Sequence, residues 1–410
     1  MHRLLRTIAL VPCLLFVAAK AYAQEPPNVE QVVMAHPEEH LLGDLGRGQL
    51  EEDGVRIEAF VSNDFWSNVA GGKSRGGGVI GNANLIVSLD TEKMGLWNDG
   101  DFVFWALGIY GRRPSDLVGD FQYTDSIDAP ETFEAYEAYY EHSFHDDSIQ
   151  VLAGIHDFSL EFAVLDYAYT FIGSSFITPP TITQYPFSFY PTTGLGSRIV
   201  VQVTEKLYSM VGAYDGKPGD IDNYRSEQLT ISKGGGIFTI GEVGWLEDAK
   251  DRLHFKLAVG AWYTSGTFTD PTGEEEIGNY GTYLLGQHQL WRENESDMQG
   301  LGAFIQVGQA RNDRNTCNWY TGAGLVYKGP LDGRDEDVVG LGLADAQFSR
   351  DFKEYYETDE EGERVWELHY RARLTSAISV TPDVQYVMNP YANPDLEDAV
   401  VLFLRTEVAL

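Results

Sequence analysis

The chain has 410 residues with 62 acidic against 29 basic, a formal net charge of −33. That balance argues against a nucleic-acid partner, since phosphate backbones are held by lysine and arginine. Two cysteines supply no disulfide framework, while aromatic residues at 13% are plentiful enough for the interfacial girdles of a membrane protein.

In chain order, His2, Arg3 and Arg6 precede an apolar run from Ile8 to Ala19 and then Ala21-Tyr22-Ala23. Those are the three parts of an export signal, and the run is too short for a helical span of about 20 residues. Residues 1–23 are therefore expected to be a signal peptide, leaving Cys317 as the one cysteine of the mature chain. Residues 24–53 read as a polar, proline-bearing arm followed by a short helix between Leu41 and Asp53, ending at Gly54.

From residue 54 to 410 the apolar period is two, the period of a strand. Ile57, Ala59 and Val61 alternate with Arg56, Glu58 and Ser62, and Ala83, Leu85, Val87 and Leu89 with Asn82, Asn84, Ser88 and Asp90. Tyr136, Ala138 and Tyr140 oppose Glu137, Tyr139 and Glu141. After a turn at His145-Asp146-Asp147, Val151, Ala153 and Ile155 oppose Gln150 and His156, and later Ile199, Val201 and Val203 oppose Arg198, Gln202 and Thr204. The longest internal run sets Leu253, Phe255, Leu257, Val259, Ala261 and Tyr263 against Arg252, His254, Lys256, Gly260 and Trp262. Near the end, Trp366, Leu368, Tyr370, Ala372 and Leu374 alternate with Glu367, His369, Arg371, Arg373 and Thr375, and Leu402, Leu404, Val408 and Leu410 with Arg405 and Glu407. Charged residues share one face again and again, which a soluble core does not tolerate. A transmembrane antiparallel β-barrel does, because lipid covers its apolar face and a water-filled lumen its polar one.

Connections come in two lengths, as in barrels with short turns at one end and long loops at the other. Thr204-Glu205-Lys206 is short, whereas Phe158 to Ser197 and Asp215 to Gly236 are long. The acidic stretch from Tyr355 to Glu363 reads as a solvated loop. No catalytic constellation is found, so the chain reads as a non-enzyme. Gly72-Lys73-Ser74 lacks the leading glycine of a phosphate loop, since residue 67 is serine, and His142 with His145 reads as a hairpin pair rather than a metal site. No cofactor or metal is expected.

Several short stretches, in order, resemble the OprB family of carbohydrate-selective porins from bacterial outer membranes. They are Glu161-Phe162-Ala163, Phe171-Ile172-Gly173-Ser174-Ser175-Phe176, Gly212-Ala213-Tyr214-Asp215-Gly216, the run from Gly322 to Gly329, and Pro382-Asp383-Val384-Gln385-Tyr386 with Asn389-Pro390. The chain departs from the family's pattern at its terminal residue, Leu410 where an aromatic is usual, and at Leu45-Gly46-Arg47 where Trp-Gly-Gly is usual. The resemblance implies an all-β barrel of about 16 strands in the outer membrane, in contact with its lipid and lipopolysaccharide, assembled through its C-terminal strand by the barrel-assembly machinery, as monomer or trimer. It also implies passive diffusion of sugars. The inward residues expected to line the pore and meet the sugar are Arg56, Glu58, Glu137, Glu141, His156, Arg198, Arg371, Arg373, Arg405 and Glu407. A long loop folded into the pore is implied near 158–197, where Tyr167, Tyr169, Phe171 and Phe176 would form a constriction; the alternative is a rim loop. The competing functions are a charge-selective general porin and a soluble exported β-rich sugar-binding protein.

Overall fold

A computed structural model describes residues 41–43, 45–219, 229, 231–232, 234–247, 254–293 and 299–410. The signal peptide, the proline-bearing arm, Arg252 and Leu253 lie outside the described residues.

Sixteen strands pair in sequence order, each with the next, and β16 returns to β1 to close an antiparallel barrel. They are β1 (Val55–Ala70), β2 (Gly76–Asp90), β3 (Gly100–Gly111), β4 (Thr132–Phe144), β5 (Ile149–His156), β6 (Gly194–Gln202), β7 (Leu207–Asp215) and β8 (Ile237–Glu247). The second half comprises β9 (Phe255–Thr269), β10 (Glu275–Arg292), β11 (Gly300–Ala310), β12 (Cys317–Lys328), β13 (Val338–Phe348), β14 (Gly362–Thr375), β15 (Ile378–Met388) and β16 (Ala399–Ala409). Closure leaves no strand edge unpaired, the condition for crossing lipid with strands.

The two-residue alternation sorts the faces as the sequence indicates. Leu257, Val259, Leu284, Leu325, Leu341, Leu368, Leu402 and Leu404 are exposed on the outside, whereas His254, Lys256, Ala258 and Trp262 are buried inside. Outward aromatics form two bands. Trp97, Trp245 and Trp291 sit at the end that carries the chain termini, and Tyr110, Tyr263, Tyr280, Trp319, Trp366 and Tyr386 near the end that carries the long loops. This is the girdle pattern of a membrane barrel. Among the described residues no helix is long and apolar enough to cross a membrane.

Three local expectations are corrected. The helix before the barrel covers only Arg47–Glu52, stopping at Gly54, whose φ of 88° is costly for a side-chain-bearing residue. Tyr136 does not face outward with Ala138 and Tyr140. An irregularity against Trp105 and Ala106 shifts the register there, and Tyr136 turns inside with its hydroxyl donating to Asp157. The acidic stretch is not all solvated loop: Tyr355 and Tyr356 belong to a helix, Arg350–Tyr356, and Glu363 is fully buried in β14. Its carboxylate accepts three backbone N–H groups, from Phe121, Gln122 and Tyr391, which offsets the cost of burying it.

Candidate functional site

Two loops from the long-loop end fold back inside the barrel. The 157–193 loop starts with Asp157 capping its first turn and then crosses to strands far from its own. Glu242 on β8 accepts from the Ala163 N–H at 3.0 Å, and Lys256 on β9 donates to the Val164 carbonyl at 2.8 Å. Further round, Gln306 on β11 donates to the Phe176 carbonyl at 2.7 Å, Tyr320 on β12 to Ser175 at 2.8 Å, and Glu367 on β14 accepts from Ile172 and Gly173. Inward side chains of five strands thus satisfy the loop's backbone. The shorter 112–131 loop lies beside it, hydrogen-bonded through Ser126 N–H to the Ile172 carbonyl at 2.8 Å and through the Tyr123 carbonyl to Ser174 N–H at 3.0 Å. Gln385 on β15 donates to Thr124 at 2.7 Å.

The inward residues singled out in the sequence fall into three groups and one outlier. Glu137, Glu141, His156 and Arg198 meet on β4, β5 and β6, together with Glu161 from the loop. Arg198 grips both oxygens of Glu161 and reaches Glu141 at 2.7 Å, while His156 Nε2 stands 3.5 Å from Glu161 and 3.8 Å from Glu137. Burial by itself would raise the Glu161 carboxyl, but the Arg198 charge and the His156 hydrogen bond outweigh it and hold the group down to about 2. Arg405 donates to Asp64 on β1 at 2.7 Å and to Asp125 of the 112–131 loop at 2.9 Å, and Arg371 pairs with Glu407 at 3.1 Å. Arg56 and Glu58 pair with each other at 2.9 Å near the start of β1. Arg373 stands apart, at the 376–377 turn, donating to the Ser376 carbonyl at 3.2 Å.

The four loop aromatics divide. Phe171 and Phe176 are 1% and 0% exposed, packed on each other and on Phe304, with Phe171 also edge-on to His369. They hold the loop to the wall and present no face to a solute. Tyr167 and Tyr169 are half-buried. Tyr167 lies so close to β11 that a Cβ at Gly302 would come within 2.3 Å of its ring, so glycine there is what admits it. Above the loops, Asp120, Phe121, Tyr123, Ser174, Gln184 and Tyr391 surround a cavity of about 210 Å³. Burial first, and then the charge of Asp128, push the Asp120 carboxyl up to about 6.

Sequence reasoning missed Asp64, Asp125, Glu161, Glu242 and Glu363 as interior groups. Asp64 was within reach, because it shares parity with Arg56, Glu58 and Ser62 once β1 is extended to Ala70. Asp125 and Glu161 sit in loops, which have no period to read.

A family model described as carbohydrate-selective porin, OprB family, matches residues 74–410. "Porin B" of Pseudomonas aeruginosa is 22% identical over 90% of both chains, and "Putative porin QuiX" of Acinetobacter baylyi is 24% identical over 88% of this chain and 91% of its own. The high-pH structure of Pseudomonas putida OprB superposes with a TM-score of 0.80 at 19% identity, covering 95% of this chain and 100% of that one.

Proposed function

We infer that this chain, which belongs to the OprB family of carbohydrate-selective porins, passes sugars along a path bounded by the half-buried Tyr167 and Tyr169 and by the part-exposed ion pairs of the wall. The protein is a passive carbohydrate channel of the outer membrane, and its closed barrel with an apolar outer band excludes a soluble sugar-binding protein. Arg56 with Glu58 and Arg371 with Glu407 are the pairs assigned to the path, together with the part-open Glu141, whose partner Arg198 is buried.

One observation carries this assignment: each of these part-open carboxylates has an arginine within 3.1 Å. A wall of closely paired opposite charges offers a neutral polyol both donors and acceptors at short range while its field cancels at longer range. A charge-selective pore needs an unbalanced ring instead. Weak, repeated contacts of this kind also let the solute leave. Glu137 and His156, being buried, and Arg405, committed to Asp64 and Asp125, are assigned to holding the loops rather than to touching sugar. We further assign residues 1–23 to export, the outer apolar band to lipid and lipopolysaccharide, and the C-terminal strand to recognition by the assembly machinery.

Single-channel recording in planar bilayers with a panel of sugars tests the reading. Sugars should block the ion current with weak ion preference, and deleting Ser174 to Pro180 should raise conductance and abolish the block. Strong ion preference with no sugar block would replace it with the charge-selective pore.

A further inference from the structure

Outside the proposed sugar path, one cluster of side chains is built like a cation site. Glu367 and His369 stand two residues apart on β14, hence on the same inward face, and Asp383 of β15 lies directly across from His369 in the register. One ligand atom from each falls within 4.8 Å of the others. All three are shut off from solvent, with Glu367 0%, His369 1% and Asp383 6% exposed.

Their hydrogen bonding is incomplete in a particular way. Neither ring nitrogen of His369 and neither carboxylate oxygen of Asp383 has a partner. Gln385, two residues on from Asp383, donates its amide to the Thr124 carbonyl. A buried imidazole and a buried carboxylate left unsatisfied are each costly, and a ligand that pairs with both removes that cost. Packing holds the arrangement in place. Phe171 stands edge-on to the imidazole with 4.6 Å between ring centres, and a Cβ at Gly340, the residue paired with His369 on β13, would lie 2.3 Å from the ring. Arg405, the cation on the adjoining strand, is already committed to Asp64 and Asp125, which leaves Glu367 and Asp383 as two buried carboxylates side by side.

We propose that Glu367, His369 and Asp383 bind a divalent first-row transition cation of the zinc type. One imidazole nitrogen and two carboxylate oxygens are a donor set that suits such ions, whereas magnesium and calcium favour oxygen alone. Bonds of about 2.0 to 2.2 Å set tetrahedral ligand atoms roughly 3.4 Å apart, so side-chain rotations of about 1 Å close the cluster around the ion. Two carboxylates and one dication are neutral together. Glu367 also accepts the Ile172 and Gly173 N–H groups, so the ion fastens β14 and β15 to the loop that narrows the barrel.

The test uses the mature porin without a histidine tag, unfolded with chelator, refolded into detergent with or without zinc chloride, and passed over a desalting column. Wild type should retain about one zinc per chain, and His369→Ala and Asp383→Asn about none, while heat-modifiable migration shows both variants as folded barrels. X-ray absorption at the zinc edge of the wild type needs no variant, and should show one imidazole among oxygen neighbours. Wild type that retains no stoichiometric zinc overturns the proposal. So does zinc that both folded variants keep, or a first shell without imidazole.

Discussion

Replacing Arg198 with methionine removes the cation that ties the start of the 157–193 loop to the barrel wall. Arg198 and Glu161 are both buried, and the pair is bidentate. The Glu161 carboxyl sits at about 2 against an ordinary 4.5, a gap that corresponds to about 3 kcal/mol of stabilisation of the charged form in the folded state. Breaking a buried pair by removing one partner costs about 3–5 kcal/mol on general grounds, because the other charge stays buried. On that ground Arg198→Met should lower the free energy of urea unfolding in lipid vesicles by about 3 kcal/mol. Arg198→Met combined with Glu161→Leu should recover most of that loss, since neither partner of the pair is then left behind as a buried unpaired charge and Glu141 is open enough to be hydrated. The pH dependence has a definite sign. A carboxyl whose folded value lies below its unfolded one contributes fully above about 4.5, and that contribution is lost as pH falls through about 2. The wild type should therefore weaken over that window more than the double variant. Equal stability of Arg198→Met and the double variant, or parallel acid profiles for wild type and double variant, would refute the assignment of this pair as the loop's anchor.

On the outer face, Leu257→Arg places a charge in lipid and should cost about 2–4 kcal/mol near mid-bilayer, read as lost barrel in outer-membrane fractions. Lys256→Met, one residue away but inside, should leave barrel yield intact and raise open-channel noise, because it removes the hydrogen bond to Val164 that pins the loop. Asp120→Asn should stabilise the protein above pH 6 and have little effect below pH 4, because the folded value of about 6 exceeds the ordinary 3.8 and stability is lost as pH rises through it; thermal melts at the two pH values measure this. Leu410 donates its N–H to Ala59 and accepts from Arg47 at the barrel's closing seam, so an added serine should lower outer-membrane yield while Leu410→Phe should not.

The barrel follows from the alternation alone. Alternation with charges on one face has a single stable solution in lipid, which puts Leu257, Leu368 and Leu402 outside and Arg198 and Arg405 inside. A strand's side-chain direction follows from its period alone, which is why these assignments needed no tertiary information. Where a strand carries an extra residue the period fails, and Tyr136 was placed on the wrong face for that reason. Only the tertiary structure decided what fills the lumen. The 157–193 and 112–131 loops have no repeating pattern, and their backbone N–H groups find Glu242, Glu363 and Glu367 across sequence separations that no local rule spans. The same carboxylates, read along the chain, are indistinguishable from the many acidic residues that face water. Which arginine is paired, which is open to a solute, and which aromatic holds the loop rather than the sugar are consequences of how a closed wall brings distant strands to a shared interior, and that information exists only once the barrel has closed.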